Sequence, residues 1–218
     1  IGKAAFEGCH NLVNVYLADI AAWCAIDFRS SSASPFCNAE NLYLNGELVT
    51  DLVVPDGVTS IGNYAFSETG LQSVTIPATV TSIGGSAFRS NTALQSVTFA
   101  DGAVAEGSNS QTAESTVSLG DYVFQDCTAL TTVVLSNRVT SLPTSAFRGC
   151  SSLASGSVAS EATPATGVIF SASGALTTIG NMAFAETALT SITLPEGLTT
   201  LASGASSYNN SPFFMCAG

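Results

Sequence analysis

Apolar residues along this chain fall into two short patterns that alternate with turn residues and then return. The first is a period-two run opened by a leucine: Leu71-x-x-Val74-x-Ile76-Pro77, Leu94-x-x-Val97-x-Phe99, Leu130-x-x-Val133-x-Leu135 and Leu189-x-x-Ile192-x-Leu194-Pro195. Alternation over a short β-branched run marks a strand with one face buried. Pro-x-Gly after it, as at Pro55-Asp56-Gly57 and Pro195-Glu196-Gly197, turns the chain. The second pattern is Ile61-Gly62-Asn63-Tyr64-Ala65-Phe66, which recurs as Ile83 to Phe88 and Ile179 to Phe184, with looser copies at Ile1 to Phe6, Leu119 to Phe124 and Leu142 to Phe147. Before it, Val58-Thr59-Ser60-Ile61 and Val80-Thr81-Ser82-Ile83 each point two more apolar groups inward. One winding of the chain therefore supplies about six inward apolar side chains.

The phenylalanines that close the second pattern fall at 6, 36, 66, 88, 124, 147, 184 and 213, at intervals of 30, 30, 22, 36, 23, 37 and 29. The intervals of 22 and 23 are the bare repeat, and the longer ones carry insertions, as loops on a solenoid do. A single winding cannot bury its apolar groups, whereas windings stacked at about 4.8 Å build one continuous core and a parallel sheet. About seven to eight coils are expected over residues 1–218 as a single domain.

Leu-x-x-Val-x-Ile followed by Ala-Phe-x-x-Cys, as in Ala146-Phe147-Arg148-Gly149-Cys150, resembles the leucine-rich repeats of bacterial surface proteins of the BspA type. That resemblance covers nearly the whole chain. It implies an α/β solenoid: a right-handed coil with a parallel sheet on one face and irregular or short helical segments on the other. It also implies a non-catalytic role in secreted or surface-anchored proteins linked to adhesion.

Departures from the pattern carry their own expectations. The second repeat has Trp23-Cys24-Ala25-Ile26-Asp27-Phe28 in place of the Ile-Gly block, then a Ser-rich passage from Arg29 to Ser34 before Pro35-Phe36. Asn45-Gly46 between the alternating residues of Leu42 to Val49 predicts a two-residue hairpin turn. Ala103 to Thr116 and Ala154 to Thr166 read as low-complexity surface loops without core residues. Neither Ile1 nor Cys216-Ala217-Gly218 resembles a finished solenoid cap, so the chain reads as a piece of a longer coil.

Charge narrows the partners. Five Lys plus Arg stand against 16 Asp plus Glu, a formal net charge of −11, which opposes docking on phosphate backbones or anionic lipid. No nucleic acid partner is expected. Only 10% of residues are charged while 46% are hydrophobic, so the chain is not disordered and its polar surface is Ser, Thr, Asn and Gln. The most apolar stretch, Leu17 to Phe28, is interrupted by Asp19 and Asp27, so no membrane insertion is expected in this segment.

Candidate chemistry is sparse. Cys9, Cys127, Cys150 and Cys216 each follow a motif phenylalanine by three residues, a slot taken by Thr69, Asn91 and Thr187 elsewhere. The slot wants a small side chain that can be buried or can meet a backbone group, which favours free thiols. Stacking leaves Cys127–Cys150 and Cys24–Cys37 open as bridges. With no Cys-x-x-Cys and only His10, neither a zinc site nor a Ser-His-Asp or Cys-His centre is supported, and no cofactor is expected. Carboxylates such as Asp56, Asp101 and Glu196 read as solvated turn residues. Arg89 and Arg148 occupy a variable slot that reads as exposed, and Trp23 with Tyr43 reads as core filling rather than as an aromatic contact patch.

If Val74 and Ile76 point inward, Ser73 and Thr75 point out, with Asn14 and Tyr16, Asp51 and Val53, Ser96 and Thr98, Thr132 and Val134, and Ser191 and Thr193 as equivalents. These twelve side chains are the candidate ligand-binding face of an extracellular module, monomeric, for a protein or glycan partner, together with the loops at 29–34, 103–116 and 154–166. A passive spacer that displays another domain is the alternative. An ice-binding array is a remote one, because Tyr16, Asp51 and Val134 break its regularity.

Overall fold

The computed structural model describes residues 1–101, 115–159, 166–172, 175–202 and 211–216. Strands follow one another as β1 (Asn14–Leu17), β2 (Asn41–Leu44), β3 (Glu47–Leu48), β4 (Asp51–Val53), β5 (Ser60–Ile61), β6 (Ser73–Ile76), β7 (Ser82–Ile83), β8 (Ser96–Phe99), β9 (Ser118–Leu119), β10 (Thr132–Val134), β11 (Ser141–Leu142), β12 (Ser155–Val158), β13 (Gly167–Phe170), β14 (Thr178–Ile179), β15 (Ser191–Ile192) and β16 (Thr200–Leu201). One short helix, α1 (Ile20–Cys24), is capped by Asp19, whose carboxylate accepts the N–H groups of Ala21 and Ala22.

Stacked parallel coils are the result. The wide sheet has the order β15-β12-β13-β10-β8-β6-β4, all parallel, and two narrow sheets, β5-β7-β9 and β11-β14-β16, hold the second strand of each coil. β1 and β2 pair in parallel in a separate sheet completed by β3, which runs antiparallel to β2. The expected hairpin is there: Asn45 and Gly46 adopt φ of 52° and 89°, the left-handed pair that a two-residue turn requires.

Inside, the alternation behaves as the sequence predicts. Val74, Ile76, Val97, Val133, Val80, Ile83 and Leu142 are all buried, and Val58 and Ile61 with them. Six of the eight motif phenylalanines form one ladder of parallel rings, Phe66, Phe88, Phe124, Phe147, Phe184 and Phe213, with centroids 5.4 to 5.7 Å apart. The glycines at 62, 84, 120 and 180 serve close approach: a Cβ on Gly84 would lie 2.5 Å from the Asn63 nitrogen, and one on Gly120 would lie 2.3 Å from the Gly85 nitrogen.

Three expectations are corrected and one strand is added. Phe36 lies outside the ring ladder and packs edge-on against Trp23 at 5.7 Å, because Phe6 bonds its N–H to the Ser32 carbonyl and so sets buried Ala33 at the aromatic position of that coil. The Arg29–Ser34 passage is no free loop, since Ala33 and Ser34 are both buried around a 3-10 turn. Residues 155–158 of the supposed 154–166 loop are strand β12, while 160–165 and most of the 103–116 segment lie outside the described residues. Finally, β13 is an additional strand wedged between β10 and β12, its Val168 and Phe170 buried beside Leu135.

Candidate binding face

Parallel pairing in register lines up the outward positions of the wide sheet. Asp51, Ser73, Ser96 and Thr132 form one row, and Val53, Thr75, Thr98 and Val134 form the next, each side chain directly beside its equivalent in the neighbouring coil. The intervening Leu52, Val74, Val97 and Val133 are buried, which holds the rows from beneath. Beyond β10 the rows continue through Gly167 and Ile169 of β13 and Ser155 and Ser157 of β12 to Ser191, with Thr193 bonding its N–H to the Gly156 carbonyl. Asn14 and Tyr16 stand on the separate sheet, opposite Asn41 and Tyr43.

Two polar contacts link neighbouring coils across the outward positions. Ser73 Oγ donates to Asp51 Oδ1 at 2.5 Å, and Asn41 Nδ2 donates to Asn14 Oδ1 at 2.9 Å. The Tyr16 and Tyr43 rings stack at 4.8 Å, and Tyr16 is 66% exposed, as Val53 is at 67%. Trp23 belongs to the core, where its indole N–H donates to the Ala65 carbonyl at 2.8 Å.

The slot after each phenylalanine is a second repeated column. The Cys127, Cys150 and Cys216 thiols donate to the carbonyls of Phe88, Phe124 and Phe184, each at 3.2 Å, and the Asn91 amide does the same for Phe66 at 2.7 Å. Thr69 and Asn91 are bonded side chain to side chain, and Thr187 bonds the Phe184 carbonyl. All six cysteines are free, so neither Cys127–Cys150 nor Cys24–Cys37 is bridged. Burial pushes the Cys24 and Cys127 thiols up to about 12 and raises Cys150 as well.

Arg89 and Arg148, expected to be simply exposed, are half-exposed and bridge coils. Arg148 pairs with Glu186 at 2.8 Å and Arg89 with Asp126 at 3.7 Å, each acid lying two residues after the next ring. The recurring offset of basic and acidic positions was the signal for them. Arg138 is a buried cation that the sequence reading missed: its guanidinium donates to the Val80 and Ser115 carbonyls at 2.7 and 2.8 Å, where the narrow sheets break between β9 and β11.

A cleft of about 330 Å³ opens beside this column, lined by Cys37, Asn38, Glu40, Glu68, Thr69 and Ser90 among others. Leu71 follows Phe66 by five positions where Leu94 follows Phe88 by six, and on the cleft wall Gly70 bonds its N–H to the Glu40 carbonyl. Burial raises the Glu68 carboxyl, with Arg89 opposing. Histidine is absent from the cleft lining, and His10 is exposed elsewhere. Among the described residues no group of three or more His, Cys, Asp or Glu is placed to hold a metal ion, and no helix is long and apolar enough to cross a membrane.

A family model described as the BspA type leucine rich repeat region matches residues 38–173 and 106–211, in six copies. No curated protein matches the chain. Among solved structures, a leucine-rich repeat protein from Bacteroides ovatus ATCC 8483 is 22% identical, with 90% of this chain and 46% of that one covered at a TM-score of 0.50. A leucine-rich repeat protein from Eubacterium ventriosum ATCC 27560 is also 22% identical, covering 85% of this chain and 59% of that one at a TM-score of 0.53. The chain thus spans about half the length of these structures, which share its fold. With the repeat matched over most of its length and folded as stacked parallel coils, the chain belongs to the BspA-type leucine-rich repeat family.

Proposed function

We propose that the chain is a non-catalytic interaction module of the cell surface or extracellular space that binds a protein or glycan partner across the exposed face of the wide sheet. The observation that carries this reading is the pair of in-register rows, Asp51-Ser73-Ser96-Thr132 and Val53-Thr75-Thr98-Val134, set on a buried apolar layer. Such rows offer hydroxyls and small apolar groups on a rigid backing, so a partner would gain area and shape complementarity without ordering a loop. Within the wide sheet's rows Asp51 is the one charged residue described, so recognition would depend little on salt. Membership of a family generally made of surface interaction modules supports the same reading.

The competing reading is a spacer, which the bland Ser and Thr exterior favours. Glycan arrays and panels of purified extracellular proteins, probed with the chain and with a variant carrying Ser73→Lys, Thr75→Lys, Ser96→Lys and Thr98→Lys, separate the two. Partner binding that the variant loses is expected. Binding that survives all four lysines overturns the sheet face, and a complete absence of partners favours the spacer.

A further inference from the structure

Cys9 and Cys37 meet at one atom. The Cys9 backbone N–H donates to the Phe6 carbonyl oxygen at 3.2 Å, and Cys37 Sγ approaches the same oxygen at 3.7 Å. Cys127 and Cys150 stand in the same relation one coil apart, the N–H of the first and the Sγ of the second sharing the Phe124 carbonyl at 3.4 and 3.2 Å. Side chains of successive coils touch along this column, as Thr187 Oγ1 and Cys216 Sγ do at 3.4 Å. Coils stacked at about 4.8 Å bring Cα atoms inside the roughly 4.4–6.8 Å window that a disulfide requires.

Access separates the two pairs. Cys127 and Cys150 are buried beneath the coil edge, whereas Cys9 is exposed and Cys37 half-buried on the wall of an open cleft. A second feature is local to Cys37. Asn38 Nδ2 donates to its sulfur at 3.0 Å, so an amide N–H already faces the atom on which negative charge must develop for it to act as a nucleophile. Burial and the neighbouring Glu68 and Cys9 hold the Cys37 thiol above its ordinary range. Cys9, the more exposed of the two, is the one a donor in solution reaches first.

We propose that Cys9 and Cys37 form an intercoil disulfide in the folded chain when a low-molecular-weight disulfide is present. The Cys9 thiolate attacks one sulfur of the donor, a Cys9 mixed disulfide forms, and one donor thiolate leaves and is protonated. Cys37 then loses its proton to solvent and attacks Cys9 Sγ, expelling the second donor thiolate, which takes up a proton. Two cysteine thiols are oxidised to one S–S bond and one donor disulfide is reduced to two thiols. The bond closes the segment between residues 9 and 37, which holds α1 and the Ser-rich passage, the least regular part of the coil stack.

Incubation of the folded chain with glutathione disulfide, alkylation of the remaining thiols in denaturant, and peptide mapping by mass spectrometry test this. A Cys9–Cys37 linked peptide is expected, with Cys24, Cys127, Cys150 and Cys216 all alkylated. Cys37→Ser should arrest the reaction with glutathione on Cys9, and Cys9→Ser should leave Cys37 as a thiol. The oxidised chain should also unfold at higher urea than its reduced form. Six alkylated cysteines, a persistent glutathione adduct on Cys9 of the unaltered chain, a Cys127–Cys150 link instead, or an unchanged urea midpoint each overturns the proposal.

Discussion

Cys127 shows how one side chain serves both packing and backbone. Its thiol is buried and donates to the Phe88 carbonyl, and burial lifts its ionisation from an ordinary 9.0 to about 12. Because the folded value is the higher one, the stabilisation is whole below pH 9 and drains as pH climbs toward about 12, at about 1.4 kcal/mol per pH unit for each such thiol. Thr69 and Thr187 fill the same slot, so Cys127→Thr should fold and should lose less stability than the unaltered chain as urea midpoints are followed upward from pH 9. Gly120 makes the complementary point about space. A Cβ there would sit 2.3 Å from the Gly85 nitrogen, a backbone atom that cannot swing aside, so Gly120→Ala should cost at least about 2 kcal/mol in urea unfolding.

At the scale of elements, the ring ladder and the ion pairs differ in weight. Phe124 stacks on Phe88 and Phe147 at 5.4 and 5.5 Å and meets Phe99 edge-on at 6.4 Å, so Phe124→Ala should cost about 3 to 5 kcal/mol, read from chemical denaturation. Arg148→Ala, which breaks a pair about one-third exposed on each side, should cost under about 1 kcal/mol in the same assay and less still in high salt. The strands opened by Leu71, Leu94 and Leu130 were legible because both of their inward positions are branched or aromatic. β12 was not, because Ser155-Gly156-Ser157 shows no apolar alternation. The inward position is Gly156, where a Cβ would lie 2.7 Å from Ile192 Cγ1, so the neighbouring coil fills the space that a valine would have marked. The second coil was hidden for a related reason: Trp23, Phe28 and Phe36 together fill what one ring fills elsewhere, and no periodic position records that division.

For the molecule as a whole, the outward face was readable wherever the strands were, since the direction of Ser73 or Thr98 follows from its buried neighbours by alternation alone. Tyr43, read as core filling, instead stacks on the exposed Tyr16 outside the core; Asn41, Ser155, Ser157 and Ile169 were missed, and the Arg138 anchor was missed because a lone arginine in a turn carries no period. One of the missed elements reaches beyond its own neighbourhood. From β10 to β12 the sheet side counts two strand spacings, with β13 between, while the ring side advances one step of 5.5 Å from Phe124 to Phe147. β13 therefore adds one strand spacing to the sheet side of the stack where the ring side takes no extra step. A partner reaching from Ser73 to Ser191 would have to cross that added strand, where Gly167 and Ile169 stand in the two rows and neither offers a hydroxyl.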